Sequence, residues 1–141
     1  MKDVFFDTNL SSNLINPVAK EYKDFLNWLF DVGALVMTNK LEVEYGRGDQ
    51  NLIVVIHKLT IEGRLNRINN RALSSYSFPK RIERRLLSNN ADRVHIKCVI
   101  LSNRKMAIVG DNKLQRDINN LPRIGGVKPV AENSPSMLNY K

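Results

Sequence analysis

Short apolar runs alternate along the chain with longer segments in which apolar residues recur every three or four positions. The runs VFF (4–6), ALVMT (34–38) and the centre of KMAIVGD (105–111) have the length and continuity of strands buried on both faces. The pattern therefore predicts buried strands that are joined by helices.

The segment between the first two strands has one clear helical face. Its apolar residues follow the spacing of a single buried side: Val18, Tyr22, Phe25, Leu26 and Leu29. Asn16 suits the N-cap, Pro17 suits the first helical position, and Gly33 ends the pattern. Strand, helix and strand in this order predict a βαβ unit with parallel strands.

The rest of the chain continues the alternation. A helix is predicted from Asn39 to the glycines at 46 and 48, and another over 49–65, where length and apolar spacing favour a helix over a strand. We expect a polar loop at 66–77, a basic helix over 77–90 capped by Ser77, and a buried helix over 91–103.

A last short strand is expected within GVKPV (126–130). Taken together, the elements predict an α/β fold: a three-layer α/β/α sandwich with a central, mostly parallel sheet. The length of 141 residues suits a single domain over 1–141, with about 132–141 as a candidate disordered tail.

The net charge gives a clue about partners. Lys and Arg total 22 against 14 Asp and Glu, a formal charge of +8, and the excess is concentrated between Arg64 and Lys105. Such a field attracts polyanions, nucleic acid first. Arg81, Arg84 and Arg85 are close together in the predicted basic helix, and we expect them to contact phosphates; a solvated helix face is the ordinary alternative.

Several protein classes are excluded. No apolar run approaches the ~20 residues that span a bilayer, and MKDVFFDTN lacks the apolar region and cleavage site of a signal peptide. The single Cys98 cannot form an internal disulfide, and no Cys or His cluster has zinc-ligand spacing. We therefore expect a cytoplasmic protein with no membrane partner.

Acidic residues recur where the predicted strands end. Asp7 follows the first strand and Asp111 follows a later one, so both belong to the carboxyl edge of a parallel sheet. Glu44 lies early in the helix after the second strand, and Asp92 opens a buried helix beside Asn90, a plausible cap. Each acid alone also suits a turn, a cap or a surface.

Together, the four acids suggest a binding site for a cation. Carboxylates crowded together repel one another unless a cation lies between them. Hard oxygen ligands favour Mg²⁺ or Mn²⁺. In a basic protein, a metal held by carboxylates indicates cleavage of phosphodiester bonds.

The motifs resemble those of the PIN-domain nucleases, in order and across nearly the whole chain. VFFDTN (4–9) is similar to the first-strand signature of that family, apolar residues followed by Asp-Thr-Asn or Asp-Thr-Ser. VMTNKLEVEYGRG (36–48) is similar to the second motif and selects Glu44 over Glu42. NADRVHIKCVILSNRKMAIVGDNKL (90–114) resembles the third and fourth motifs, an Asp-led helix and then a strand that ends on Asp.

The resemblance implies the members of a site. Its catalytic and metal-binding acids would be Asp7, Glu44, Asp92 and Asp111, with Mg²⁺ or Mn²⁺ as the cofactor. Thr8 would be a supporting hydroxyl. Gly110 stands where the family often has a polar residue, so Asn112 is expected to compensate, and Asp117 is the fallback ligand.

The resemblance also implies an activity and partners. It suggests an endoribonuclease that hydrolyses single-stranded or structured RNA, of the size typical of a toxin in a toxin–antitoxin pair, with an antitoxin protein and a homodimer as further expected partners. The alternative is a basic module on the same fold that binds nucleic acid or a protein without catalysis. Residues 50–88 match nothing specific in the family.

Overall fold

A computed structural model of the protein describes residues 1–15, 17–47 and 50–141. In this part of the chain, five parallel strands form one sheet in the order β3-β2-β1-β4-β5. The strands are β1 (Asp3–Phe6), β2 (Ala34–Met37), β3 (Leu65–Arg67), β4 (Met106–Ile108) and β5 (Val130–Glu132). The predicted α/β fold with a central parallel sheet is confirmed.

Helices cover both faces of the sheet. The described residues form α1 (Ser12–Ile15), α2 (Lys20–Asp31), α3 (Asn39–Gly46), α4 (Gln50–Ile61), α5 (Asn70–Ser75), α6 (Lys80–Glu83), α7 (Asn90–Leu101) and α8 (Asn112–Asn119), with 3₁₀ turns at Thr8–Leu10 and Pro135–Met137.

The central strand β1 shows how the layers meet. Successive side chains of a strand point to opposite faces of the sheet. Phe6 stacks on Phe25 of α2 at 5.5 Å between ring centroids, whereas Phe5 packs on His95 of α7 at 5.2 Å. The sheet is therefore buried on both sides, as the continuous apolar run predicts.

Several elements match their predictions. The preference for a helix over 49–65 is confirmed by α4, and α3 begins at Asn39 with Thr38 as its N-cap, whose hydroxyl accepts from the Leu41 N–H at 3.2 Å. The predicted helix start at Asn16 lies outside the described residues. Helix α2 begins only at Lys20, so Val18 precedes it and is 87% exposed rather than part of the buried face.

The expected polar loop at 66–77 is wrong in two places. Leu65–Arg67 pairs with β2 as a third strand, and Asn70–Ser75 is a helix whose N-cap Asn69 accepts from the Ala72 N–H at 2.8 Å. Strand β3 has no clear signal in the sequence, because it has three residues and only one of them is apolar. It forms a strand through its pairing with β2.

The basic helix predicted over 77–90 is much shorter than expected. Helix α6 spans one turn, Lys80–Glu83, and its N-cap is Pro79 rather than Ser77. The chain leaves the helix because the amides of Leu87 and Ser88 are held by the Asp117 carboxylate of α8.

The C-terminal residues are packed on the domain, in contrast to the expected disorder at 132–141. Leu138 and Tyr140 are buried, and the Tyr140 ring meets Phe25 and Trp28 edge-on, at 5.0 and 4.8 Å between centroids. These contacts fix the tail because they bury aromatic surface against α2.

No helix in the described ranges is both long enough and apolar enough to cross a bilayer.

Candidate active site

The carboxyl end of β1 delivers a buried carboxylate to the edge of the sheet. Asp7 is only 3% exposed and is the N-cap of the turn Thr8–Leu10. Its Oδ1 accepts from the Asn9 N–H at 3.1 Å, and its Oδ2 has only a long contact of 3.4 Å with the Gly110 N–H. Among the described residues, no Lys, Arg or His forms an ion pair with it.

Thr8 connects this strand end to α3. Its hydroxyl donates to Glu44 Oε2 at 2.8 Å, which fixes the carboxylate beside Asp7. Glu42 lies two residues earlier, on a different side of the helix, and pairs with Arg67. The helix geometry thus brings Glu44 rather than Glu42 to the edge.

Tyr45 holds α3 against the same strand end. Its hydroxyl donates to the Phe6 carbonyl oxygen at 2.6 Å. Burial raises the pKa of Tyr45 far above its usual value, and the charges of Asp7 and Glu44 act in the same direction. The phenol therefore stays protonated and acts as a hydrogen-bond donor. The sequence shows that an aromatic residue follows Glu44, but it does not reveal this hydrogen bond.

Helix α7 carries the third predicted acid in its first turn. Its N-cap is Asn89, whose side chain accepts from the Asp92 N–H at 2.9 Å, so the expected cap Asn90 is wrong by one residue. Asp92 lies in the first turn and is half-buried. A carboxylate is favoured there by the positive end of the helix dipole.

His95, one turn further along α7, lies among these acids. Burial lowers the pKa of its imidazole, and the Lys40 ammonium acts in the same direction. Three carboxylates raise it and partly offset the burial: Asp7, Glu44 and Asp92. The charges of all three carboxylates therefore act on the same imidazole.

The fourth predicted acid, Asp111, has a capping role in this structure. It is the N-cap of α8, and its Oδ1 accepts from the N–H groups of Lys113 at 2.7 Å and Leu114 at 3.1 Å. The N–H of the preceding residue, Gly110, contacts Asp7 Oδ2, so the backbone just before Asp111 lies close to the end of β1. Asn112 is exposed and accepts from the Asn133 side chain at 3.3 Å.

Asp117 has a structural position instead of that of a fallback ligand. The side chain is buried and accepts from the Leu87 N–H at 2.9 and 3.0 Å and from the Ser88 N–H at 2.8 Å. Its oxygens satisfy backbone amides of the segment between α6 and α7, which removes this acid from the candidate ligands.

The three arginines differ in position because α6 is short. Arg81 lies in the helix, Arg84 is its C-cap and Arg85 follows it. All three side chains are exposed, and none forms an ion pair with another described residue. They remain available to an anionic partner.

The donor set suits a hard divalent cation in chemistry and charge. Asp7 is a buried carboxylate that forms no ion pair within the described ranges, and Glu44 and Asp92 add further negative charge beside it. In the described part of the chain, no three His, Cys, Asp or Glu side chains are already close enough to hold a metal together. The side chains would have to converge further for shared coordination.

Comparisons with known proteins support the fold. Neither a protein-family model nor a curated protein sequence matches the chain. The structure is similar to a solved structure of VapBC2 from Rickettsia felis bound to a DNA fragment from their promoter, with a TM-score of 0.56 and 19% sequence identity, covering 94% of this chain and 98% of that chain. At this identity the likeness shows a shared PIN-like fold.

Proposed function

We propose that the protein is a metal-dependent endoribonuclease whose active site is the carboxyl edge of the sheet. One observation carries the proposal: the buried Asp7 carboxylate has no paired cation among the described residues, and Glu44 is hydrogen-bonded to the next residue, Thr8. The charges of both acids and of Asp92 act on His95. Like charges gathered in this way reduce stability unless a bound cation compensates them, so the arrangement favours a role in catalysis over one in folding.

The residues that would hold Mg²⁺ or Mn²⁺ are Asp7, Glu44 and Asp92. Asp111 would be a fourth ligand if its carboxylate gave up a hydrogen bond from an N–H group of α8. Such an ion activates a water molecule and neutralises the charge that develops on the phosphate.

The surrounding residues position these acids. The Thr8 hydroxyl fixes one oxygen of Glu44, and the Tyr45 hydroxyl fixes the position of α3 relative to the end of β1. Burial of Asp7 keeps bulk water away from its carboxylate and strengthens its interaction with any bound cation.

RNA is the proposed substrate. The formal charge of +8 attracts a polyanion, and the exposed guanidinium groups of Arg81, Arg84 and Arg85, which form no ion pair with described residues, can bind its phosphates. The fold likeness to VapBC2 supports the narrower proposal of a toxin with an antitoxin partner. A homodimer remains a proposal that follows from the family resemblance alone.

Cleavage of labelled single-stranded RNA tests the activity. The purified protein should cut the RNA with Mg²⁺ or Mn²⁺ and should stop when EDTA is added. Asp7→Asn should lose roughly a hundredfold or more in rate, since it removes one charge of the site. Asp31→Asn, at an exposed acid on the last turn of α2, is the matched control and should cut normally.

Two results would contradict the proposal. Cleavage that survives chelation would exclude the metal, and cleavage that survives Asp7→Asn would exclude this edge as the active site. A protein that binds RNA but cuts none with either metal would instead be a basic binding module on the same fold.

A further inference from the structure

A cavity of about 120 Å³ lies between the end of α8 and the chain that follows α6. Arg81, Arg85 and Asn120 line it together with the apolar side chains of Leu86, Leu121 and Pro122. None of the four acids Asp7, Glu44, Asp92 and Asp111 lines it, and neither the comparisons nor the family motifs assign a ligand to it.

Two arginines, Arg81 and Arg85, line this cavity. Both are exposed, and neither forms an ion pair with a described residue. Arg84 lies between them in sequence but does not line the cavity. The Asp117 carboxylate also lines it, and its oxygens already accept three backbone hydrogen bonds, so the guanidinium groups are left for a ligand.

The composition of the lining selects the kind of ligand. A phosphate group gains nothing from apolar walls, because transfer of an anion to apolar surroundings is costly. A nucleobase has an apolar face, which stacks on a guanidinium plane or packs on aliphatic side chains, and a polar edge, which an Asn amide can recognise. The cavity offers both kinds of surface side by side.

We propose that this cavity binds one unpaired nucleobase of the RNA, an inference that rests on the proposed function. The Arg85 guanidinium stacks on the base, Arg81 holds a flanking phosphate, and the Asn120 amide contacts the edge of the base. The base must be unpaired because the edges and faces of bases in an RNA duplex are largely inaccessible to side chains. The substrate class is therefore RNA with a single-stranded or bulged nucleotide.

The position of the cavity fits this role. Helix α8 begins after Asp111 at the edge of the sheet and ends at Asn119, next to the cavity. Eight helical residues span roughly 12 Å, so an RNA strand that lies on the carboxylates reaches the cavity within a few nucleotides. The base in the cavity would thus set the position of the cleaved bond.

Binding measured without catalysis tests the inference. The probes are fluorescent single-stranded hexaribonucleotides of U, C, A or G and a hexamer of the same backbone with abasic sites, titrated with the full-length protein in EDTA. Fluorescence anisotropy should show the best base-containing probe bound roughly tenfold more tightly than the abasic one, the scale of one stacked base.

A matched pair of variants locates the effect. Arg85→Lys keeps the charge but removes the planar group, and it should lose most of the preference for bases. Arg71→Lys makes the same change at an exposed residue of α5 that does not line the cavity, and it should keep the preference. Asn120→Ala should reduce the difference among the four bases, because its exposed amide is the edge contact.

Three results would overturn the inference: equal binding of the abasic probe by the parent, equal losses in the two lysine variants, or no binding of any probe. The nuclease proposal is judged separately. Base-selective binding without cleavage in Mg²⁺ or Mn²⁺ would contradict the nuclease proposal and support the base site. Cleavage without a base preference would support the nuclease proposal and contradict the base site.

Discussion

The two ends of β1 carry aspartates that are both buried but have opposite surroundings. Asp3, at the amino end, accepts from the Asn66 side chain at 2.6 Å and from the N–H groups of Asn103 at 2.9 Å and Arg104 at 3.0 Å. Asp7, at the carboxyl end, accepts from the Asn9 N–H at 3.1 Å and from the Gly110 N–H at 3.4 Å, and the next residue, Thr8, donates to the Glu44 carboxylate. The first acid accepts three hydrogen bonds of 3.0 Å or less, whereas the second accepts two longer ones.

The same contrast extends along the two edges of the sheet. At the amino edge, cations meet backbone carbonyls: Arg104 Nε donates to the Asp3 carbonyl oxygen at 3.3 Å, and Arg64 donates to carbonyls at the end of α2 and just beyond it, at Leu29, Phe30 and Gly33. At the carboxyl end of β1, the charges of Asp7, Glu44 and Asp92 all raise the pKa of His95, against the opposite effects of burial and Lys40. Among the described residues, Asp3 is held by three hydrogen bonds at the edge that stabilises the fold, whereas Asp7, Glu44 and Asp92 form no ion pair at the edge where we propose catalysis.

The largest expected effect lies at the amino end. Asp3→Ala should lower the free energy of unfolding by about 3 kcal/mol, because it removes the buried acceptor of three hydrogen bonds, from the Asn66 side chain and the N–H groups of Asn103 and Arg104. Urea unfolding followed by circular dichroism measures it. Asp31→Ala, at an exposed acid, is the control and should change the free energy of unfolding little. An equally small change for Asp3→Ala would contradict the proposed difference between the two ends of β1.

A smaller effect is expected at the link between α3 and β1. Tyr45→Phe removes the hydroxyl that donates to the buried Phe6 carbonyl, and it should lower the free energy of unfolding by about 1 kcal/mol. The same unfolding experiment measures this. If Tyr45 also positions Glu44, RNA cleavage should fall by more than the small loss of folded protein explains; an unchanged rate would limit Tyr45 to stability.

The smallest expected effect is a pH dependence at His95. Burial lowers its pKa below the ordinary value of 6.5, so the unfolded chain binds the proton more readily than the folded chain. Stability from neutral His95 is complete above pH 6.5 and declines as pH falls through that value toward the lower folded pKa.

His95→Gln should therefore reduce the loss of stability between neutral and mildly acidic pH. The charges that also act on this imidazole are those of Asp7, Glu44 and Asp92, which raise its pKa, and of Lys40, which lowers it. His57→Gln, at the exposed histidine of α4, is the control and should leave the pH profile unchanged. Identical profiles for both variants would contradict the buried, neutral state of His95.

The sequence predicts the fold and the edge acids because their signals are local. The apolar runs of β1, β2 and β4 mark buried strands, and a residue that directly follows a parallel strand must lie at its carboxyl edge. The order of strands and helices is therefore enough to expect Asp7, Glu44 and Asp92 near one another. Their exact ligand geometry is not fixed by such patterns.

The errors have a common physical cause. Strand β3, the short α6 and the structural role of Asp117 all depend on hydrogen bonds between residues far apart in the chain: Leu65–Arg67 with β2, and Asp117 with the amides at 87 and 88. Local composition has no signature for a carboxylate that accepts from distant backbone amides. The Asn89 cap differs from the expected Asn90 by one position, because adjacent asparagines are equally good caps.

The central claim is that Asp7 serves a metal site rather than the fold, and thermal melts of Asp7→Asn test it most directly. Asn caps a turn as well as Asp does, so the bond from the Asn9 N–H can survive while one charge is removed. Without metal, the variant should melt at or above the parent temperature, because repulsion at the edge is reduced. Asp3→Asn, at the other end of the strand, should melt clearly lower.

Added Mg²⁺ should raise the melting temperature of the parent through mass action and that of Asp7→Asn much less. These melts of the parent and the variant, with and without metal, need no RNA and no antitoxin. A variant that melts well below the parent without metal, and that responds to Mg²⁺ as strongly as the parent does, would contradict the account and make Asp7 a structural acid like Asp3.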